Sequence, residues 1–106
     1  MTENNKWRYA NSKIYKLIDH QGYYYWGSTC LPLHKRLYSH KEYSKRDPEM
    51  KIYTIFTHER FVNGEIKIVL EKEFSLTSQK QLLREENKFI TVSLEDIKCL
   101  NSNRKP

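Results

Sequence analysis

Residues 12–27 constrain this chain more than any other stretch. Ser12-Lys13-Ile14-Tyr15-Lys16-Leu17-Ile18 alternates Ile14 and Lys16 against Tyr15 and Leu17. That is the period of a strand with apolar character on both faces. Asp19-His20-Gln21-Gly22 follows as a turn in which Gly22 is free to take positive φ. Tyr23 to Gly27 is a second strand, rich in aromatics. The stretch therefore reads as a β-hairpin. It carries a tyrosine triplet on either side of the turn, Lys13-Ile14-Tyr15 and Tyr25-Trp26-Gly27. Such a hairpin has hydroxyls as well as rings to use. Tyrosine is also a good strand former, so an aromatic hairpin without chemistry fits the same residues.

The remaining elements follow from caps and periodicity. Pro32 suits the first turn of a helix that continues through Leu33 and Leu37 to about Lys45. Asp47-Pro48-Glu49 reads as a second helix start, with Ile52, Ile55 and Phe56 as its apolar face and Asn63-Gly64 as its end. Glu65 to Glu71 alternates, with Ile66, Ile68 and Leu70 on one side, and reads as a third strand. Ser78 and Gln81 have capping-box spacing and open a third helix running to about Thr91. The order β-β-α-α-β-α predicts an α/β (α+β) fold, a small three-stranded antiparallel sheet flanked by helices. One domain is expected over residues 12–101. Residues 1–11 read as a polar tail in which Trp7 and Tyr9 are candidates for docking, and 102–106 as a second tail.

A length of 106 residues suits a single core that folds without disulfides or metal staples. The net charge of +6 favours an anionic partner, nucleic acid first and an anionic membrane surface second. No apolar run is long enough to span a bilayer. The first residues lack the basic and apolar blocks of a signal peptide. Cys30 and Cys99 stand far apart without zinc-like spacing, which reads as two reduced thiols in an intracellular protein.

Three groups of side chains are candidates for chemistry. At about 100° per residue, Leu82, Glu86, Phe89 and Ile90 share one face of the third helix, with Glu85 at its edge. A carboxylate within an apolar stripe must be paired, protonated or metal-bound. A glutamate at the margin of the stripe, paired with a Lys or Arg, fits the periodicity equally. Arg36 and His40 share a face of the first helix. Arginine holds phosphate through two parallel hydrogen bonds, and histidine binds phosphate, moves a proton or orients a tyrosine. A solvated basic helix is the plainer reading of these two alone. Lys35, Lys41, Lys45 and Arg46, interleaved with Tyr38 and Tyr43, suit tracking of a nucleic-acid backbone, and equally an ordinary solvated face.

Taken in order, these residues resemble the catalytic domain of GIY-YIG nucleases from about Ser12 to Asn101. Lys13-Ile14-Tyr15 and Tyr25-Trp26-Gly27 stand where the family's two triplets stand. Gly27-Ser28-Thr29, Lys35-Arg36-Leu37 with His40, Glu86-Asn87-Lys88-Phe89-Ile90 and Leu100-Asn101 extend the likeness. Lys13 and Trp26 depart from the pattern at positions that supply no reacting group. The resemblance implies a DNA endonuclease that hydrolyses phosphodiester bonds. Glu86 would hold one Mg²⁺ or Mn²⁺, and Arg36 would neutralise charge on the phosphate. Tyr15 would orient or deprotonate water, helped by Tyr25 or His40. Gly27 would serve the backbone, and Asn101 would fix the site's geometry. A single carboxylate ligand implies weak metal binding without DNA. With no DNA-reading module attached, little sequence preference, recognition of a DNA structure, or a partner protein is expected. A non-catalytic nucleic-acid-binding module on the same fold is the alternative, and a domain recruiting a partner protein is a third class.

Overall fold

A computed structural model of the chain describes residues 9–76 and 78–101. Trp7 and the 102–106 tail lie outside the described residues. Tyr9–Asn11 form a single 3-10 turn rather than loose tail, and Tyr9 packs on the core. The hairpin forms as β1 (Ser12–Ile18) and β2 (Tyr24–Thr29). Gly22 takes φ +93 in the turn between them. The Asp19 carboxylate accepts from the Gln21 and Tyr23 N–H groups and closes that turn. β3 (Lys67–Phe74) pairs with β1 on its other side, giving an antiparallel sheet of order β2-β1-β3.

Register decides what each strand presents. Tyr15 lies opposite Gly27 and Leu17 opposite Tyr25, so these four share a face; Ile14 opposite Ser28 and Lys16 opposite Trp26 share the other. The β1–β3 pairing shifts by one residue between Ile14 and Tyr15. Leu70 therefore pairs with Tyr15, but Lys72 pairs with Ile14 and Phe74 with Ser12. This bulge at Glu71 carries Phe74 to the opposite face from Leu70, although both are even-numbered. Of the expected apolar set, Ile66 is buried and Leu70 is exposed.

Helices cover both faces. On the Tyr15/Leu17 face lie α1 (Leu33–Arg46), α2 (Lys51–Ile55) and α3 (His58–Val62). Leu33 and Leu37 of α1, Ile52 and Tyr53 of α2 and Phe61 of α3 pack there around Phe56. On the Ile14/Trp26 face lies α4 (Gln79–Val92), packed through Leu82, Phe89 and Ile90. Ser78 caps α4 by accepting from the Gln81 N–H, as its spacing predicts.

The expected second helix is two short ones. Asp47 closes α1 instead of opening α2, its N–H bonding to Tyr43 O at 2.7 Å. Thr57 then accepts from the Arg60 N–H and starts α3 afresh. A Thr side chain with a local acceptor competes with helix continuation, which breaks the run after Ile55. The hinge between the two is tied down by Arg60, which bonds Ile55 O, Glu65 and the buried Asp19 carboxylate at 2.8 Å.

The segment after α4 returns along β2. Tyr24 N–H donates to Lys98 O, and Leu100 N–H to Tyr24 O. The outer edge of β2 is thereby covered over this length. No helix among the described residues is long and apolar enough to cross a membrane.

Candidate active site

Tyr15 is the hub. It is fully buried at 0% exposure, with its ring over Gly27. A Cβ at position 27 would fall within the van der Waals shell of Tyr15 Cζ and Oη. Gly27 thus makes room for a neighbouring ring; its own φ is not in the left-handed region. That corrects the expectation that it serves the backbone.

Arg36 and His40, one turn apart on α1, both meet the Tyr15 hydroxyl. Arg36 Nε donates to Tyr15 Oη at 2.9 Å, and His40 Nε2 lies 2.7 Å from it. These two side chains are turned to the sheet, so the solvated-helix reading fails for them. His40 Nδ1 contacts Tyr53 Oη at 2.9 Å. Burial first, and then the Arg36 charge, push the His40 pKa down to about 3. The imidazole is therefore neutral and has one N–H to give. Tyr15 Oη already accepts from Arg36, and among the described residues the only acceptor in reach for its own proton is His40 Nε2. That leaves Nδ1–H to donate to Tyr53. The result is a directed chain, Tyr15 O–H to His40 and His40 N–H to Tyr53. Burial, outweighing the Arg36 charge, raises the Tyr15 pKa.

Arg36 spends only Nε in this arrangement. Its two terminal nitrogens have no protein partner among the described residues, which leaves the fork of the guanidinium unspent. Tyr25 stands beside His40, ring centroids 5.7 Å apart, and its hydroxyl has no partner among the described residues. Burial, then the Glu86 charge, raise its pKa, against Arg36.

Glu86 reaches the same place from the other face of the sheet. Its Oε1 accepts a 2.5 Å hydrogen bond from Ser28 Oγ, and its Oε2 has no protein partner among the described residues. Burial raises its pKa; Ser28 and Arg36 partly offset this. Glu85 does lie at the edge, paired with Lys88. Glu86 and Tyr25 line one cavity of about 260 Å³ with Lys51 and Asn101. Asn101 grips β2 there: its Oδ1 accepts from the Trp26 N–H at 2.8 Å and its Nδ2 donates to Trp26 O at 2.9 Å. It fixes the backbone between Tyr25 and Gly27 rather than offering its amide to the cavity.

The basic residues divide. Lys35 and Arg46 lie on one flank of the Arg36 side, each exposed, and Arg46 pairs loosely with Asp47. At about 100° per residue, Lys41 and Lys45 fall on the side of α1 away from Arg36. Lys41 Nζ lies over the Tyr38 ring there.

Two site residues escaped the sequence reading. Ser28 was legible from strand alternation, two positions from Trp26 and so aimed at α4. Tyr53 gave no signal, since Ile52-Tyr53 reads as ordinary core. As a prediction, Tyr53→Phe removes the acceptor of the His40 N–H. Any chemistry that depends on the His40 tautomer should fall by about 10-fold to 100-fold with a displaced pH profile. Stability should drop by only about 1 kcal/mol. An unchanged pH–rate profile, measured over pH 5–9 by pH titration of activity, would remove Tyr53 from the account.

Among the described residues no group of three or more His, Cys, Asp or Glu side chains is placed to hold a metal. Glu86 offers a half-buried carboxylate oxygen with no protein partner among the described residues, in the cavity it shares with Tyr25. That donor suits a hard cation that keeps water and takes further oxygens from a substrate, and does not suit a closed protein cage. No family model, curated protein or solved structure matches the chain.

Proposed function

We propose that the protein is a metal-dependent endonuclease that hydrolyses phosphodiester bonds of DNA. The observation that carries this reading is the meeting of an unspent arginine fork, a free phenol and a free carboxylate oxygen at one strand, β2. Tyr15 and Arg36 come from one face of the sheet and Glu86 from the other. Opposite charges with unused hydrogen-bonding atoms fit a phosphate and its counterion. The resemblance to GIY-YIG nucleases and the charge of +6 point the same way.

In this reading the Arg36 terminal nitrogens hold the scissile phosphate and offset the charge that grows on it. Tyr15 fixes Arg36 through Nε and so aims that fork. The Tyr25 hydroxyl, open to the cavity, contacts the attacking water. Tyr15 itself is sealed from solvent and keeps its O–H committed to His40, which Tyr53 holds in the accepting tautomer. Ser28 orients the Glu86 carboxylate. A Mg²⁺ or Mn²⁺ ion held by Glu86 would stabilise the leaving 3′ oxygen. Asn101 keeps β2 in register beneath the site.

The experiment is a panel of duplex, nicked, flap and branched DNAs incubated with the protein and Mg²⁺. At least one should be cut, leaving 5′-phosphate and 3′-hydroxyl ends, and a chelator should stop the reaction. A panel left intact at stoichiometric protein would overturn the reading. Salt-sensitive DNA binding that persists in chelator, without cutting, would instead support a non-catalytic binding module.

A further inference from the structure

A second hollow shares no lining residue with the Glu86 cavity and is linked to it through the Ser28–Glu86 hydrogen bond. Arg36 and Ser28 form its inner wall, and it runs towards the chain ahead of β1 and the start of α4. At about 540 Å³ it is twice the size of the cavity at Glu86. Leu82 forms part of its floor. Leu31 and Leu83 stand on its rim, 45% and 50% exposed, with their apolar surface left to water. Asn11 and Gln79 add two amide side chains without partners among the described residues.

The combination is specific. Walls that mix leucine surface with amide, hydroxyl and guanidinium groups suit a flat organic ligand with polar edges and suit a bare anion poorly. Amide side chains, each with donor and acceptor, match the pattern on a nucleobase edge. The Arg36 guanidinium, shared with the site above, places a phosphate at the hollow's inner end. A nucleotide is the ligand class with a phosphate at one end and such a base at the other.

We propose that this hollow receives one nucleobase, unstacked from the strand whose phosphate Arg36 holds. Leu31, Leu82 and Leu83 pack against the base, and Asn11 and Gln79 bond its edge. This rests on the nuclease reading for the phosphate alone. A base already unpaired at a gap, flap or branch enters without breaking a stack, so such DNA is cut at least about tenfold faster than intact duplex.

The test uses oligonucleotides carrying single 2-aminopurines at successive positions, in the DNA form cut best, or in plain duplex if none is cut. Anisotropy, 2-aminopurine fluorescence and cleavage are read in the same Mg²⁺ samples. Fluorescence should rise several-fold at one position on binding. The exposed double variant Asn11→Ala/Gln79→Ala should lose most of that rise and the preference for unpaired DNA, while melting like wild type. Cutting with no fluorescence change at any position overturns the inference and leaves the nuclease reading intact. A rise unaltered in the double variant also overturns it. Without cutting, a rise that the variant abolishes keeps the hollow and removes the enzyme. DNA neither bound nor cut removes both.

Discussion

Gly27→Ala is expected to cost about 3 kcal/mol of stability and at least 100-fold of DNA cleavage. Overpacking a filled core costs about 1–3 kcal/mol, and this site lies at the upper end. The new methyl meets the Tyr15 ring near its hydroxyl, and that ring is wholly buried with no open side to move into. Its hydroxyl is held by Arg36 and His40, so any retreat drags both from place. A misplacement of about 1 Å in such a group is enough for a 100-fold loss. Gly22→Ala supplies the contrast. Gly22 takes φ +93 with open space around it, so alanine there meets backbone strain and no clash. It should cost about 1 kcal/mol and leave cleavage alone. Urea denaturation and cleavage rates on both variants separate the two mechanisms. A Gly27→Ala protein with wild-type stability and activity would mean that Tyr15 is free to move.

Glu86→Gln is expected to separate function from stability. The Glu86 carboxyl has its pKa raised above the ordinary 4.5, chiefly by burial. Its folded state binds a proton more tightly than its unfolded state. The contribution to stability is therefore complete below the unfolded value and is lost as pH rises through the folded one. At neutral pH the ionised carboxylate works against the fold, and glutamine relieves it while still accepting from Ser28. Thermal melting at pH 7 should give a Tm equal to or above that of wild type. The advantage over wild type should shrink on acidification towards pH 4. Cleavage should fall by about 1,000-fold, the scale of losing a charge that acts at the reacting phosphate. A marked fall in Tm would make Glu86 a structural residue.

The sequence carries the hairpin because alternation and the Gly22 turn are local signals. It carries the Glu86 stripe because helical spacing needs only the 3.6-residue period. Arg36 and His40 were legible as sharing a face, though the sheet beneath them was not. What stayed hidden depends on pairing. The bulge at Glu71 swaps the face of Phe74, and no spacing in β3 announces it. The role of Gly27 requires knowing that Tyr15 lies across from it. Tyr53 becomes a partner of His40 only once α2 packs on α1. The break between α2 and α3 was hidden by the apolar run Ile52, Ile55 and Phe56, which outweighs a single capping Thr57. Asp47-Pro48 carries a start signal strong enough to mask its part in ending α1.

The most direct measurement is a nicking time course on supercoiled plasmid, with wild type and Glu86→Gln side by side in Mg²⁺ and in chelator. Wild type should give relaxed and linear products with Mg²⁺ only, and the folded variant near-intact plasmid. Equal nicking by the two proteins would contradict this, as would plasmid left intact by wild type together with every form of the DNA panel.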